Sequence, residues 1–286
     1  MTAYCRVTCL IRWNLHSHTV VSDGELTADE LLKRASEEGL DGVAVTDHYP
    51  YPCFPITWSE VDWAASQNAL AQQRNELETL RRGYSGLTII AGAEVEFLEE
   101  LDLLRNGLRN LDLDFLLGGV HLIDRWALDW SEEEFLKGRS LFGSLESAFA
   151  RYFGAVGKLA DSGLVDSIAH LDVVKKYNVS ERHFSERSRW YRDLVDKCLR
   201  RIANAGVAME VSTAGLRRPV GALYPSDWIL SEAKDLGIRV TVGTDHHKVD
   251  EKVTAGLDKA EEALRAAGYD SYLVFKKRSP TSVNLI

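Results

Sequence analysis

The segment CLIRWNLHSHTVVSDGELTADELLKRASEEGLDGVAVTDH (residues 9–48) carries the decision about the fold. Cys9–Leu15 is a short apolar stretch that delivers His16 and His18. Alternation in an extended chain puts residues two apart on one side, so an H-x-H pair at a strand end can aim two imidazoles at one ion. Asp23 follows in a turn closed by Gly24. Thr27-Ala-Asp-Glu30 is a capping-box pattern. It opens a helix with Leu31, Leu32 and Ala35 on one side, ending near Gly39. Gly42–Thr46 is then a short buried strand leading into Asp47-His48. Strand, helix and strand in succession form a βαβ unit and argue for a parallel sheet.

The same alternation continues along the chain. Leu87–Ala91 is a third strand, followed by Gly92-Ala-Glu94-Val-Glu96. Asp114–Gly118 is a fourth, ending in Gly119-Val-His121, and Val165–Ala169 a fifth, ending in His170 and Asp172. Gly206–Val211 leads to Ser212–Arg218, and Ile238–Val242 leads to Gly243-Thr-Asp245-His246-His247. Helices are expected over residues 59–82, 145–162, 186–204, 225–236 and 255–267, with a short helix or connector over 101–111. Residues 122–126 are expected to be a loop. Residues 272–275 suit a last short strand, and 276–286 a tail. The Pro50–Pro55 stretch, with Tyr49, Tyr51 and Phe54, is a rigid aromatic loop that suits either the surface or a wall over a pocket. No Gly/Ser linker or low-complexity run divides the chain, so residues 1–286 are expected to be one domain. Strand and helix alternate about seven times, and at 286 residues the natural closure is an α/β barrel.

Composition narrows the function classes. Hydrophobic residues make up 45% and charged residues 27%, as in a globular protein with a core of its own. The net charge of −9 argues against a nucleic-acid partner, which usually demands a basic face. It leaves room for a small phosphorylated substrate, because local cation charge can outweigh the global balance. The four cysteines, Cys5, Cys9, Cys53 and Cys198, form no C-x-x-C pair or disulfide framework, which suits a reducing cytoplasm. No run approaches the length of a membrane span, so no membrane partner is expected. A homo-oligomer is left open.

The strand ends carry the chemistry. His16 and His18, His48, Glu94, His121, His170, and Asp245 with His247 all stand where strands finish, and six of the eight histidines are among them. In a parallel barrel those ends share one face, where active sites are built. One zinc ion takes about four ligands. So many donors suit two to three divalent metal ions around a shared carboxylate, and mixed imidazole and carboxylate donors suit Zn, Mn or Fe. Such a cluster polarises a phosphoryl oxygen and activates water, which makes hydrolysis the natural reaction class. No nucleotide-binding Gly-rich loop occurs, and no Gly-x-Ser-x-Gly elbow.

His16-Ser-His18 with Ser22-Asp-Gly24, Thr46-Asp-His48, Gly92-Ala-Glu94, Gly119-Val-His121, Ala169-His-Leu-Asp172 and Gly243–His247 together resemble the polymerase-and-histidinol-phosphatase (PHP) superfamily. Gly119–Trp126 and Ser212–Pro225 make the chain similar to its histidinol-phosphate phosphatases. The resemblance implies a distorted (β/α)7 TIM-like barrel and hydrolysis of L-histidinol phosphate in histidine biosynthesis. It also implies three ion sites: His16, His18, Glu94 and Asp245; Glu94, His121 and His170; and Asp23, His48 and His247. Some members have His where this chain has Asp23.

Asp245, His247 and Arg217 are assigned to the catalytic step. Arg217, Arg218, Arg125 and Trp126 are assigned to the substrate, with Arg217 as the phosphate clamp, Arg218 as its alternate and Lys175 as a weaker candidate. Glu210 and Asp172 are expected to orient a ligand histidine or bind a substrate amine, and Asp47 to act behind His48 or at the turn. His246 should point away from the ligands, and His183 should be a loop residue. Another PHP phosphoesterase, acting on a nucleotide or other monoester, is the alternative. A metal-dependent amidohydrolase is the more distant one.

Overall fold

A computed structural model describes residues 11–51 and 61–285. At its centre are seven strands: β1 (Trp13–Asn14), β2 (Gly42–Val45), β3 (Thr88–Glu96), β4 (Phe115–Gly119), β5 (Ser167–Ile168), β6 (Ala208–Ser212) and β7 (Val240–Gly243). They are neighbours in chain order and every pair is parallel. The Leu15 N–H donates to the Val242 carbonyl at 2.9 Å, and Ser17 bridges His246 in parallel, which brings the first strand back onto the last. The sheet is therefore a nearly closed, distorted TIM-like barrel, as expected. Its strands are buried on both faces, which is why they read as apolar runs such as Val43–Val45 and Phe115–Leu117.

Among the described residues, eight helices surround the barrel: α1 (Ala28–Glu37), α2 (Trp63–Leu80), α3 (Leu101–Leu108), α4 (Glu132–Phe142), α5 (Leu145–Asp161), α6 (Arg189–Ala205), α7 (Asp227–Asp235) and α8 (Leu257–Ala266). The capping box forms: the Thr27 hydroxyl accepts from the Glu30 N–H, and Glu30 accepts from the Thr27 N–H. Leu31, Leu32 and Ala35 turn inward. In α6, Tyr191, Val195, Cys198, Leu199 and Ile202 make the buried stripe, and Gly206 ends the helix at φ 69°. Among the described residues no helix is long and apolar enough to cross a membrane.

Four segments differ from expectation. β3 runs on to Glu96, so both Glu94 and Glu96 lie in regular strand. The 122–126 loop is an antiparallel pair, Leu122–Ile123 with Trp126–Ala127, turning at Asp124. Helix α4 then follows, where the sequence suggested no element. Ser131 caps it by accepting from the Glu134 N–H at 3.1 Å, but only Phe135 and Gly138 of this helix are buried, so its apolar period is faint. The expected tail is a strand. Ser271–Lys276 (β8) pairs antiparallel with Ser279–Asn284 (β9) around Lys277 and Arg278, both at positive φ. Neither residue is the Asn or Gly that would advertise such a turn. Arg278 binds Asp166 at 2.6 Å and donates its N–H to the Asp114 carbonyl, closing the end of the barrel where β4 and β5 begin.

Residues 9–10 of the expected first strand lie outside the described residues. So do 52–55 of the aromatic loop, the start of the expected helix at Ser59, and Ile286.

Candidate metal centre

The site is assembled at the carboxyl ends of the strands by buried polar latches. Asn14 Oδ1 accepts the N–H groups of His16 (3.1 Å) and Thr244 (2.9 Å), which ties the end of β1 to the end of β7. Asp47 accepts the Thr19 N–H and hydroxyl, both at 2.8 Å, and the Ser22 N–H at 3.1 Å, with Gln73 also against it. Asp47 therefore shapes the turn that delivers Asp23. Two glycines leave room for carboxylates. A Cβ on Gly119 would lie 2.6 Å from Glu94 Oε1 and 2.7 Å from His121, and one on Gly243 would strike Glu210 and His16.

Glu94 is fully buried at the centre. Its Oε2 lies 3.2 Å from His16 Nε2, 3.4 Å from His18 Nε2 and 3.3 Å from His48 Nδ1. Its Oε1 lies 3.0 Å from His170 Nε2 and 3.6 Å from His121 Nε2. Asp245 Oδ1 is 3.3 Å from Nε2 of both His16 and His18, which stand 3.0 Å apart. Donors held about 2.0–2.1 Å from a tetrahedral ion lie roughly 3.3 Å from one another. The separations of His16 and His18 from each other and from Asp245 fall near that spacing, and Glu94 Oε2 stands at similar distances from the same two rings. His121 and His170 present Nε2 atoms 3.3 Å apart to the other oxygen of Glu94. Asp23 Oδ1 lies 3.3 Å from His247 Nε2, and Asp23 Oδ2 lies 3.7 Å from His48 Nε2. His18 and His48 each turn their second ring nitrogen toward a second group, and among the described residues the donors fall into four overlapping groups, His18–Asp23–His48–His247, His16–His18–Asp245, His16–Glu94–His170 and His48–Glu94–His121, so the three expected sets merge. Imidazole with carboxylate, and no thiolate, is a donor set that fits zinc, manganese or iron.

Outer carboxylates orient the rings. His16 Nδ1–H donates to Glu210 Oε1 at 2.8 Å, and the other Glu210 oxygen accepts the His170 N–H at 2.9 Å. His121 Nδ1–H donates to Glu96 Oε2 at 2.6 Å, and Glu96 Oε1 accepts the His121 N–H at 2.8 Å. The sequence displays Glu96 but attaches no role to it; its i+2 spacing from Glu94 within a strand was the available signal. Burial disfavours a charged His16, yet Glu210, Glu94 and Asp245 hold its pKa well above the ordinary range. Burial likewise opposes charge on Glu94, and His16, His121 and His48 hold it well below the carboxylate range. The protein alone thus surrounds this space with carboxylates that demand positive charge.

The other expected residues divide. Arg217 does not reach the cleft. Its guanidinium donates to the Thr244 and Asp245 carbonyls and pairs with Glu251 at 3.2 Å, because the 3-10 turn Ala214–Arg217 sends it back onto the end of β7. Arg218, one residue on, lines the cleft. Arg125 is exposed at the tip of the 122–127 pair and is not among the residues that line the cleft. Trp126 is fully buried, donates Nε1–H to the Glu134 and Phe135 carbonyls and packs on Phe142 and Phe149, so it is core and not a substrate contact. Lys175 is buried against Asp172 at 2.8 Å, so Asp172 orients no histidine. His246 turns its Nε2 to the Glu251 carbonyl, and His183 lies beside Glu132 at 2.7 Å. Asp129, Trp130 and Lys176 line the cleft of about 330 Å³ over the cluster, and the sequence marked none of them.

The PHP domain model matches residues 14–214. A Deinococcus radiodurans protein named "Probable histidinol-phosphatase" is 27% identical over 271 residues, covering 93% of this chain and 97% of its own. The Bacillus subtilis histidinol-phosphatase is 28% identical over 242 residues, covering 78% and 87%. In structure, the chain is similar to the histidinol phosphate phosphatase of Lactococcus lactis in complex with Zn, L-histidinol and phosphate. The TM-score is 0.75 at 20% identity, over 95% of this chain and 99% of that one.

Proposed function

The chain belongs to the PHP domain family, and from that premise we propose that it is a metal-dependent phosphomonoesterase that hydrolyses L-histidinol phosphate to L-histidinol and phosphate, a reaction of histidine biosynthesis. The observation that carries the proposal is Glu94, whose two oxygens each face a separate set of imidazoles at 3.0–3.6 Å. Names and coverage of the relatives from Deinococcus and Bacillus support the same substrate.

His16, His18, Glu94 and Asp245 would hold one ion, Glu94, His121 and His170 a second, and Asp23, His48 and His247 a third, giving two to three ions of zinc, manganese or iron. When bound, such cations supply the Lewis acidity and water activation that phosphomonoester hydrolysis needs. The protein does the positioning. Glu210 and Glu96 fix the rings of His16 and His121 before substrate arrives. Arg218 lines the cleft and takes the phosphate role in place of Arg217. Asp245 and His247, both 14% exposed, line the cleft and are the residues we assign to the catalytic step; against the cost of burial, His16 and His247 hold the Asp245 carboxyl well below the usual range, so it acts there as an anion. We read the chain as one catalytic domain, since its barrel strands follow one another unbroken around the sheet.

The test is phosphate release from L-histidinol phosphate against a panel of monoesters, with metal analysis on the same sample. A clear preference for histidinol phosphate is expected. Equal rates across the panel would return the assignment to PHP phosphoesterases at large.

A further inference from the structure

Arg218 lines the cleft, and among the described residues no hydrogen bond or ion pair holds its guanidinium. Its place is therefore set by its backbone, the segment of residues 213–226 between β6 and α7. Three ties fix that segment. At its root, Ser212 and Tyr224 exchange backbone hydrogen bonds at 2.6 and 3.0 Å. Midway, the Val220 N–H donates to the Lys176 carbonyl at 3.1 Å. At its end, the Ser226 N–H donates to Asp172 Oδ2 at 2.9 Å. The second and third ties both run to residues 172–176, the turn that follows β5.

That turn contains a buried ion pair. Lys175 Nζ lies 2.8 Å from Asp172 Oδ2 and also donates to the Ser226 hydroxyl oxygen. The same hydroxyl stands 3.0 Å from Asp172 Oδ2 and 2.7 Å from Glu186 Oε2. The side chains of Asp172 and Lys175 are 0% and 1% exposed. Lys175 Nζ lies 5.6 Å from the centre of the Tyr224 ring, and Tyr224 lines the cleft. Stability does not explain a pair buried this deeply. Desolvation offsets the attraction, and apolar side chains of similar shape do as well or better. What the charges add is direction. The Ser226 N–H and the Lys175 ammonium converge on one oxygen, Asp172 Oδ2, which fixes the height of Ser226 against residues 172–176.

We propose that the Asp172–Lys175 pair is a positioning latch for Arg218. It locks the segment after β6 to the turn after β5, and so sets where the Arg218 guanidinium meets phosphate. Neither residue of the pair lines the cleft, and both act through Arg218. This rests on the reading of Arg218 as the phosphate contact and adds what holds it there.

The experiment removes both charges together. In Asp172→Leu/Lys175→Met, Leu reproduces the fork of Asp and Met the reach of Lys, and no unpaired buried charge is left. Thermal unfolding should match or exceed that of the wild type. The affinity of the metal-loaded protein for inorganic phosphate, read by isothermal titration calorimetry, should nevertheless fall about tenfold with metal content unchanged. KM for L-histidinol phosphate should rise by a similar factor, with kcat much less affected. Adding Arg218→Ala to the double variant should weaken phosphate binding little further, because the latch and the arginine form one unit. Wild-type phosphate affinity in the double variant overturns the proposal. So do losses that multiply in full when Arg218→Ala is added, which would mean that the two act independently. If the double variant does not fold, Ser226→Ala decides. It deletes the hydroxyl between Lys175 and Glu186, and phosphate affinity should fall about threefold; an unchanged affinity there overturns the latch. Phosphate binding needs no turnover. A fall in affinity in variants of a protein that hydrolyses no monoester would support the latch while refuting the proposed function, so the two failures are distinct.

Discussion

Glu210 Oε1 accepts a hydrogen bond from His16 Nδ1 at 2.8 Å, deep in the barrel and two strands' width from where the histidine leaves β1. The same carboxylate holds the His170 N–H through its other oxygen. One buried acid on β6 therefore sets the direction of one expected ligand and the backbone of another. Glu210→Gln keeps the shape but supplies an amide where His16 needs a full acceptor charge. We expect metal affinity or kcat to fall about 10- to 100-fold. Metal titration followed by mass spectrometry, alongside steady-state kinetics, checks this. An unchanged variant would remove Glu210 from the positioning role.

Chelation should abolish turnover, and zinc or manganese should restore it. It should also lower stability, because a cation present at about a thousandfold its Kd contributes about 4 kcal/mol to the folded state. Thermal unfolding with and without chelator reads this directly. A melting temperature indifferent to metal would argue against buried ligation.

Metal binding should expel protons. Against the cost of burial, Glu96 and Glu94 push His121 up to about 10, and Asp245 and Asp23 push His247 up to about 9. In the metal-free protein at pH 8, both rings therefore carry protons, whereas a ligating imidazole must be neutral. Calorimetric titrations of the metal-free protein in two buffers of different ionisation enthalpy should report net proton release at pH 8. Affinity should fall as pH is lowered, since protons compete for the same nitrogens. Binding without proton release at pH 8 would contradict this ordering of the site.

Arg217 and Arg218 are adjacent but should behave differently. Arg218→Ala should raise KM for the phosphate ester about tenfold or more with metal content intact. Arg217→Ala strips donors from the Thr244 and Asp245 carbonyls and a partner from Glu251. It should cost about 1–3 kcal/mol of stability, visible in denaturant unfolding. A KM effect larger for Arg217 than for Arg218 would restore the phosphate role to Arg217.

Gly119→Ala places a methyl 2.6 Å from Glu94 Oε1 and 2.7 Å from His121. Both are fixed in the cluster, so the methyl must displace one of them. Reduced metal stoichiometry in a protein with wild-type circular dichroism is the expected outcome. Full metal content would mean that the Glu94 carboxylate can retreat.

By itself the sequence determined that the chain is a parallel α/β barrel with one face crowded by metal-capable side chains. Apolar runs of strand length alternate with capped helices, and His16, His18, Glu94, His121, His170 and Asp245 recur where those runs end. Both signals are local, and the geometry of a parallel barrel converts them into one face without further information. The tertiary structure alone decided which neighbours serve that face. Arg217 and Arg218 are indistinguishable in sequence, and a 3-10 turn sends one to backbone carbonyls and the other to the cleft. Trp126 reads as a substrate platform until α4 closes over it. Glu96 and Glu210 are ordinary acids along the chain. Their roles arise from partners on other strands and loops, and a side chain's partner across a barrel leaves no periodic trace in the sequence that carries it.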